Sequence, residues 1–75
     1  MNPTRFAELR SMARLSLREV AVITGYSYGA AQNWHTGAAA VPPRVAAWLE
    51  VFAPAIDGLW RAFPPPTREQ QGGGA

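Results

Sequence analysis

The chain has 75 residues, 48% of them hydrophobic and 11% aromatic, a composition that favours one small globular domain over a disordered segment. It has no cysteine, which excludes disulfides and thiolate metal sites, and no apolar run approaches the roughly 18 residues of a membrane span. The net charge of +2 is too small to indicate a nucleic-acid partner by itself. All basic residues are arginines, which suits phosphate contacts, but a GC-rich genome explains this equally well. A cytoplasmic protein is expected by default.

The first helix is predicted by its start signal. Asn2 followed by Pro3 is typical of a helix N-terminus, since asparagine caps the helix and proline has no N–H to leave unpaired. Phe6, Leu9 and Ala13 then recur at helical spacing, so this helix is predicted to end near Ala13.

A capping box predicts the second helix. Ser16 and Glu19 have the spacing at which each side chain accepts a hydrogen bond from the other residue's backbone N–H. The helix therefore begins at Leu17. Gly25 stops it, because glycine adopts the left-handed conformation of a helix end at little cost.

The third helix follows after only two residues. Ser27 is its predicted N-cap, the helix runs from Tyr28 to about His35, and Gly37 supplies the stop signal.

Proline marks the limits of the remaining helices. Pro43 is well placed to begin a fourth helix, and Pro54 is predicted to break it, because an internal proline removes a backbone hydrogen bond. A short fifth helix then carries the apolar residues Ile56, Leu59, Trp60 and Phe63. The predicted fold is all-α, a compact bundle of about five short helices over residues 1–63, followed by a disordered Pro/Gly-rich tail over residues 64–75.

Two short helices joined by a glycine-containing turn, Leu17 to Thr36, have the pattern of a helix-turn-helix. Ala21 falls where the two helices cross, a position at which only a small side chain permits close approach. Ala31 and Trp34 share one face of the third helix and are predicted to point into the core. A helix held in this way fits the major groove of B-DNA.

The segment LSLREVAVITGYSYGAAQNWHTGAAAVPPRVAAWL resembles the phage Cro and lambda-repressor type of helix-turn-helix regulator. The similarity extends over about Phe6 to Phe52. The residues that carry it are Ser16, Ala21, Gly25, Ser27, Trp34, Gly37, Pro42 and Pro43.

The resemblance implies which residues contact DNA, because in that family the outer face of the third helix touches bases and the start of the second touches phosphate. The implied base contacts are Tyr28, Gly29, Gln32, Asn33 and Thr36. The implied phosphate contacts are Arg18, Ser27, His35 and Arg44. Gln32 and Asn33 are chemically the most informative, since an amide side chain can pair bidentately with adenine.

Two departures from the family pattern point to modest base readout. The family usually has glutamine at the first residue of the second helix, where it grips a phosphate, whereas this chain has Leu17. The third helix has no arginine, and Gly29 with Ala30 leaves its start bare. DNA shape is therefore expected to supplement direct readout.

Other polar residues have simpler expected roles. His35 is the only histidine and has no cysteine beside it, so a metal role is not expected. Arg5, Arg10 and Arg14 are expected on a solvated helix face or paired with the acidic residues Glu8 and Glu19.

One recognition helix covers only a few base pairs, so we expect a homodimer that reads an inverted repeat. The large apolar residues near the C-terminus exceed what a small core needs and are the predicted dimer interface: Trp48, Phe52, Ile56, Leu59, Trp60 and Phe63. The chain has no ligand domain, so we expect neither a cofactor nor a small-molecule effector.

The sequence thus predicts a sequence-specific regulator that binds double-stranded DNA, a small phage or mobile-element repressor. The alternative is a protein-interaction module that keeps the scaffold but has lost DNA binding, which Leu17 and the small net charge also fit. An enzyme is the poorest fit, because the few acidic residues are scattered and no nucleophile–base pair can be assembled by spacing.

Overall fold

The computed structural model describes residues 1–68, and every regular element within them is helical. The four helices are α1 (Pro3–Ala13), α2 (Leu17–Thr24), α3 (Tyr28–Thr36) and α4 (Pro43–Ala62). Helix α1 packs against both α3 and α4, and α2 packs against α3. The all-helical prediction is confirmed, as are the starts of these helices.

The predicted caps are formed. The Asn2 side chain accepts a hydrogen bond from the Arg5 N–H at 2.7 Å. In the capping box, the Glu19 N–H donates to Ser16 Oγ at 3.0 Å and the Ser16 N–H donates to Glu19 Oε1 at 2.9 Å. The hydrogen bond from the Ser16 backbone N–H, followed by the interaction with the Ser16 side chain, lowers the pKa of the Glu19 carboxyl. Arg14 ends α1 in the left-handed conformation, with a φ of 57°.

The core is apolar throughout, and no polar or charged residue within residues 1–68 is buried. Its members come from all four helices and the loop before α4: Phe6, Leu9, Ala13, Val20, Ala21, Ala31, Trp34, Val41, Val45, Leu49 and Ala53. Ala21 and Trp34 are therefore core residues, as predicted.

The predicted break at Pro54 and the separate fifth helix are wrong, because α4 runs without interruption through Pro54. The apolar stripe of this helix continues across the proline, with Leu49 and Ala53 fully buried and Ile56 packed on the core. Pro54 and Glu50, whose carbonyl loses its N–H partner, are both exposed. Burial on either side of Pro54 thus offsets the roughly 3 kcal/mol that an internal proline costs.

Helix α4 ends at Ala62, one residue before the predicted domain boundary at Phe63. The predicted disordered tail, residues 64–75, lies from Glu69 onward outside the described residues. Within the part that the structure describes, no helix is long and apolar enough to cross a membrane.

An ion-pair cluster joins α1 to α4 on an exposed surface. The Arg5 guanidinium donates to both carboxylate oxygens of Glu50, at 3.0 and 2.8 Å, and to Glu8 at 3.1 Å. The expected Arg5–Glu8 pair is thus present, and Glu50 joins it. The hydrogen bonds from Arg5 lower the pKa of Glu50 and raise that of Arg5 itself. Exposed ion pairs of this kind contribute little to the free energy of unfolding. The main effect of the cluster is to hold the Arg5 guanidinium beside the two carboxylates.

We expect Trp34→Ala to lower the free energy of unfolding by about 3–5 kcal/mol, because it empties the centre of the core. In a domain this small, that loss is enough to unfold much of the protein. Urea denaturation followed by circular dichroism measures it. Val22→Ala is the matched control, since Val22 is 76% exposed. Similar losses from the two substitutions would contradict the assignment of Trp34 to the core.

Candidate nucleic-acid interface

A tight connection joins α2 to α3. Gly25 ends α2 with a φ of 78°, the left-handed conformation that its missing Cβ makes accessible. Ser27 then caps α3, and its Oγ accepts a hydrogen bond from the Ala30 N–H at 3.1 Å. Tyr26 and Ser27 are thus the whole link between Gly25 and the first residue of α3.

Aromatic contacts fix the rotation of α3 about its axis. Trp34 is buried and makes edge-to-face contacts with Phe6 of α1, at 6.0 Å between ring centroids, and with Tyr26, at 5.0 Å. Ala31, one turn earlier, is also buried. Because these two residues hold one side of α3 against the core, the other side must face solvent.

The five predicted base contacts are all exposed on α3: Tyr28, Gly29, Gln32, Asn33 and Thr36. Among the hydrogen bonds of residues 1–68, none involves the side-chain amides of Gln32 and Asn33, so both amides are available to a ligand. The Thr36 hydroxyl is less available. It donates to the Asn33 carbonyl at 3.4 Å and accepts from the Ala38 N–H at 3.3 Å.

The four predicted phosphate contacts are also exposed: Arg18, Ser27, His35 and Arg44. Ser27 Oγ already accepts a bond as the helix cap, but its hydroxyl proton remains free to donate. Arg18 and Arg44 come from α2 and α4, on either side of α3 in the chain. Within residues 1–68 neither of them forms an ion pair with a carboxylate.

The sequence did not predict the contact between Arg18 and Tyr28. The Arg18 guanidinium lies over the Tyr28 ring, 4.8 Å from its centroid, in a cation–π contact. The contact holds a cation from the start of α2 beside the first residue of α3. Tyr28 thus supports a phosphate candidate as well as lying among the base candidates.

The predicted dimer residues do not form one uniform surface. Leu59 and Phe63 are 55% and 76% exposed. Ile56 packs against the core, and the Trp60 ring is covered by the Arg14 guanidinium at 4.7 Å. Arg14 is exposed, which agrees with the solvated position that was one of its two expected roles, and it contacts this ring instead of an acidic residue.

Two exposed residues of α2 were missed. Val22 and Ile23 are 76% and 54% exposed, although both are large and apolar. The sequence did contain a signal for their exposure, because Val20 and Ala21 already occupy the positions of α2 that face the core. Ile23 borders a cleft of about 350 Å³, which is lined by Ile23, Thr24, Tyr26, Arg44, Val45 and Trp48.

No cluster of three metal-ligating side chains occurs in the described range. Comparison of the chain with protein-family models, with curated proteins and with solved structures gave no match.

Gly29→Ala is expected to stabilise the protein by up to about 1 kcal/mol, the helix-propensity difference between the two residues. There is room for the methyl group, since its nearest neighbour would be Ser27 Oγ at 3.9 Å. Thermal unfolding measures the change. Gly25→Ala is the control and should destabilise, because Gly25 has a φ of 78°. A loss of stability in Gly29→Ala would show that this glycine is needed for folding.

Proposed function

We propose that α2 and α3 form a helix-turn-helix and that the chain is a sequence-specific, double-stranded DNA-binding transcriptional regulator. The observation that carries the proposal is the exposed face of α3. The side-chain amides of Gln32 and Asn33 lie on this face without a hydrogen-bond partner in the described chain, and Trp34 packs the opposite side of the helix against the core. A rigid helix with free polar groups on one side is what the major groove accepts.

The base contacts in this proposal are centred on Gln32 and Asn33. Each amide offers one acceptor and two donors, the set that pairs with N6 and N7 of adenine. Gly29 lies one turn before Asn33 and carries no side chain, so the α3 backbone can approach the groove closely there. Tyr28 and Thr36 flank this centre.

Phosphate contacts in this proposal come from two of the arginines that pair with no carboxylate in the described chain. Arg18 and Arg44 are exposed and not bound to carboxylates of the described chain, while Arg5 and Arg61 are held by acidic residues. Ser27 and His35 add a hydroxyl and an imidazole near the two ends of α3. Two arginines give limited affinity to one copy, so a homodimer on an inverted repeat is part of the proposal.

We propose repression by promoter occlusion, as a small phage or mobile-element repressor would act. No domain beyond the helical one is needed for steric block, since a bound dimer covers the site that polymerase would use.

An interaction module without DNA binding is the second candidate. Leu17, at the position where the family carries its phosphate-gripping glutamine, packs against the core. The exposed pair Val22 and Ile23 on α2 also suits a protein partner. Absence of DNA binding would favour this candidate.

Selection of bound duplexes from a random pool tests the sequence specificity. We expect an inverted repeat whose half-sites are centred about one helical turn apart. On the selected site, Gln32→Ala or Asn33→Ala should weaken binding by about 1–3 kcal/mol per lost bidentate pair. Random DNA should show much less change. Arg61→Ala is the control, since Arg61 is exposed, pairs with Asp57 and is not among the candidate DNA contacts. Equal losses on selected and random DNA would show that the amides do not read bases.

A further inference from the structure

Helix α4 carries a second apolar stripe beside the one that fills the core. Its residues are separated by alternating steps of four and three, which is the spacing at which one helix packs along another. We call this stripe the outer seam, and it consists of Trp48, Phe52, Ala55, Leu59 and Ala62. Trp48 and Phe52 are half-buried and stack on each other at 4.7 Å. The other three are exposed, so no part of the described chain covers this half of the seam.

The two ends of α4 have complementary shapes. Near its N-terminus lies the cleft of about 350 Å³, whose wall includes Ile23, Tyr26 and Trp48. Beyond its C-terminus lies Phe63, 76% exposed. The cleft is walled mainly by apolar side chains, and an exposed aromatic ring lies at the other end of the helix. In a closed pair of copies, both rings can reach both clefts only if the two helices run antiparallel.

We propose that two copies of the chain pair antiparallel along the outer seam, with Ala55 at the two-fold axis and Phe63 of each copy in the cleft of the other. The proposal deepens the proposed function, since it rests on the dimer invoked there and specifies its geometry. It does not require that the protein bind DNA.

The sizes of the seam residues set the register. Trp48 and Ala62 lie seven residues to either side of Ala55, so the largest side chain of one copy faces a small one of the other. Phe52 and Leu59 meet between them, and Ala55 meets Ala55 at the axis, where a small residue permits close approach. A parallel pair would place Trp48 against Trp48 and leave Phe63 about 22 Å from the cleft along the helix.

Charge and backbone also favour this face. The exposed Asp57–Arg61 ion pair, at 3.0 Å, lies about 160° around the helix from Leu59. Glu50, whose carbonyl loses its N–H partner to Pro54, lies about 180° around the helix from Leu59, so this carbonyl is also remote from the partner. The outer seam itself therefore contains no ionised group and no broken backbone hydrogen bond; the charged residue nearest to it in the proposed pair is Arg44, which lines the cleft.

Single-cysteine crosslinking tests the register, since the chain has no cysteine of its own. Ala55→Cys places two thiols at the two-fold axis, within the roughly 4.4–6.8 Å Cα separation of a disulfide. Ala62→Cys is the matched control, because its two copies would lie about 21 Å apart. In a thiol–disulfide buffer without DNA, Ala55→Cys should form a covalent dimer and Ala62→Cys should stay reduced. Equal crosslinking of both variants, or of neither, would overturn the register.

Ala55→Glu tests the surface without a covalent bond. It places two carboxylates together at the axis and should raise the dimer dissociation constant by about a hundredfold or more. The helical content should not change, because Ala55 is exposed in the single chain. Sedimentation equilibrium of the full chain measures the mass. A monomeric wild type, or an Ala55→Glu variant that remains dimeric, would contradict the proposal. Both measurements omit DNA, so failure of the DNA-binding proposal leaves their outcome unchanged.

Discussion

The contact on which the rest of the structure depends is the packing of Trp34 between Phe6 and Tyr26. It joins α3 to α1 and to the turn after α2, and thereby sets the side of α3 that faces solvent. Rotation of α3 by one residue would move the polar face by about 100° and bury an amide in a core that has no polar partner for it. The exposed positions of Gln32 and Asn33 therefore follow from the packing of the nearby Trp34. Stability and the proposed DNA contact depend on the same ring.

Some charged side chains of the described chain form ion pairs and others do not. Arg5 and Glu50 hold each other across α1 and α4, and Asp57 holds Arg61, so these charges largely cancel locally. Arg18 and Arg44 have no such partners in the described part of the chain. The contact of Arg18 with Tyr28 places one of these positive charges beside the start of α3, despite a net charge of only +2. Arg44 also lines the cleft that is proposed to receive Phe63 of a second copy. The proposed DNA contact and the proposed dimer contact thus meet at this residue.

Local signals predicted most of the fold. The capping box at Ser16 and the left-handed glycines at Gly25 and Gly37 are set by residues close in sequence, and all three were found where expected. The error at Pro54 has a physical origin, because the cost of proline is local while the buried stripe that outweighs it depends on α1. The contacts of Arg18 with Tyr28 and of Arg14 with Trp60 join residues far apart in sequence, so no periodicity indicates them. The exposure of the candidate DNA contacts was predictable from the inward positions of Ala31 and Trp34. The cation–π contact that holds Arg18 beside Tyr28 was not predictable from the sequence.

The central claim is that the face around α3 binds double-stranded DNA, and the salt dependence of binding tests it most directly. A duplex titrated with the full chain at increasing salt should give log K that falls linearly with log salt, by about 0.9 for each phosphate neutralised. Arg18→Ala should make this slope shallower by about one such unit per copy, whereas Arg61→Ala, which removes an arginine paired with Asp57, should leave it nearly unchanged. Absence of measurable binding at low salt would contradict the account, and so would binding with a slope that Arg18→Ala does not alter.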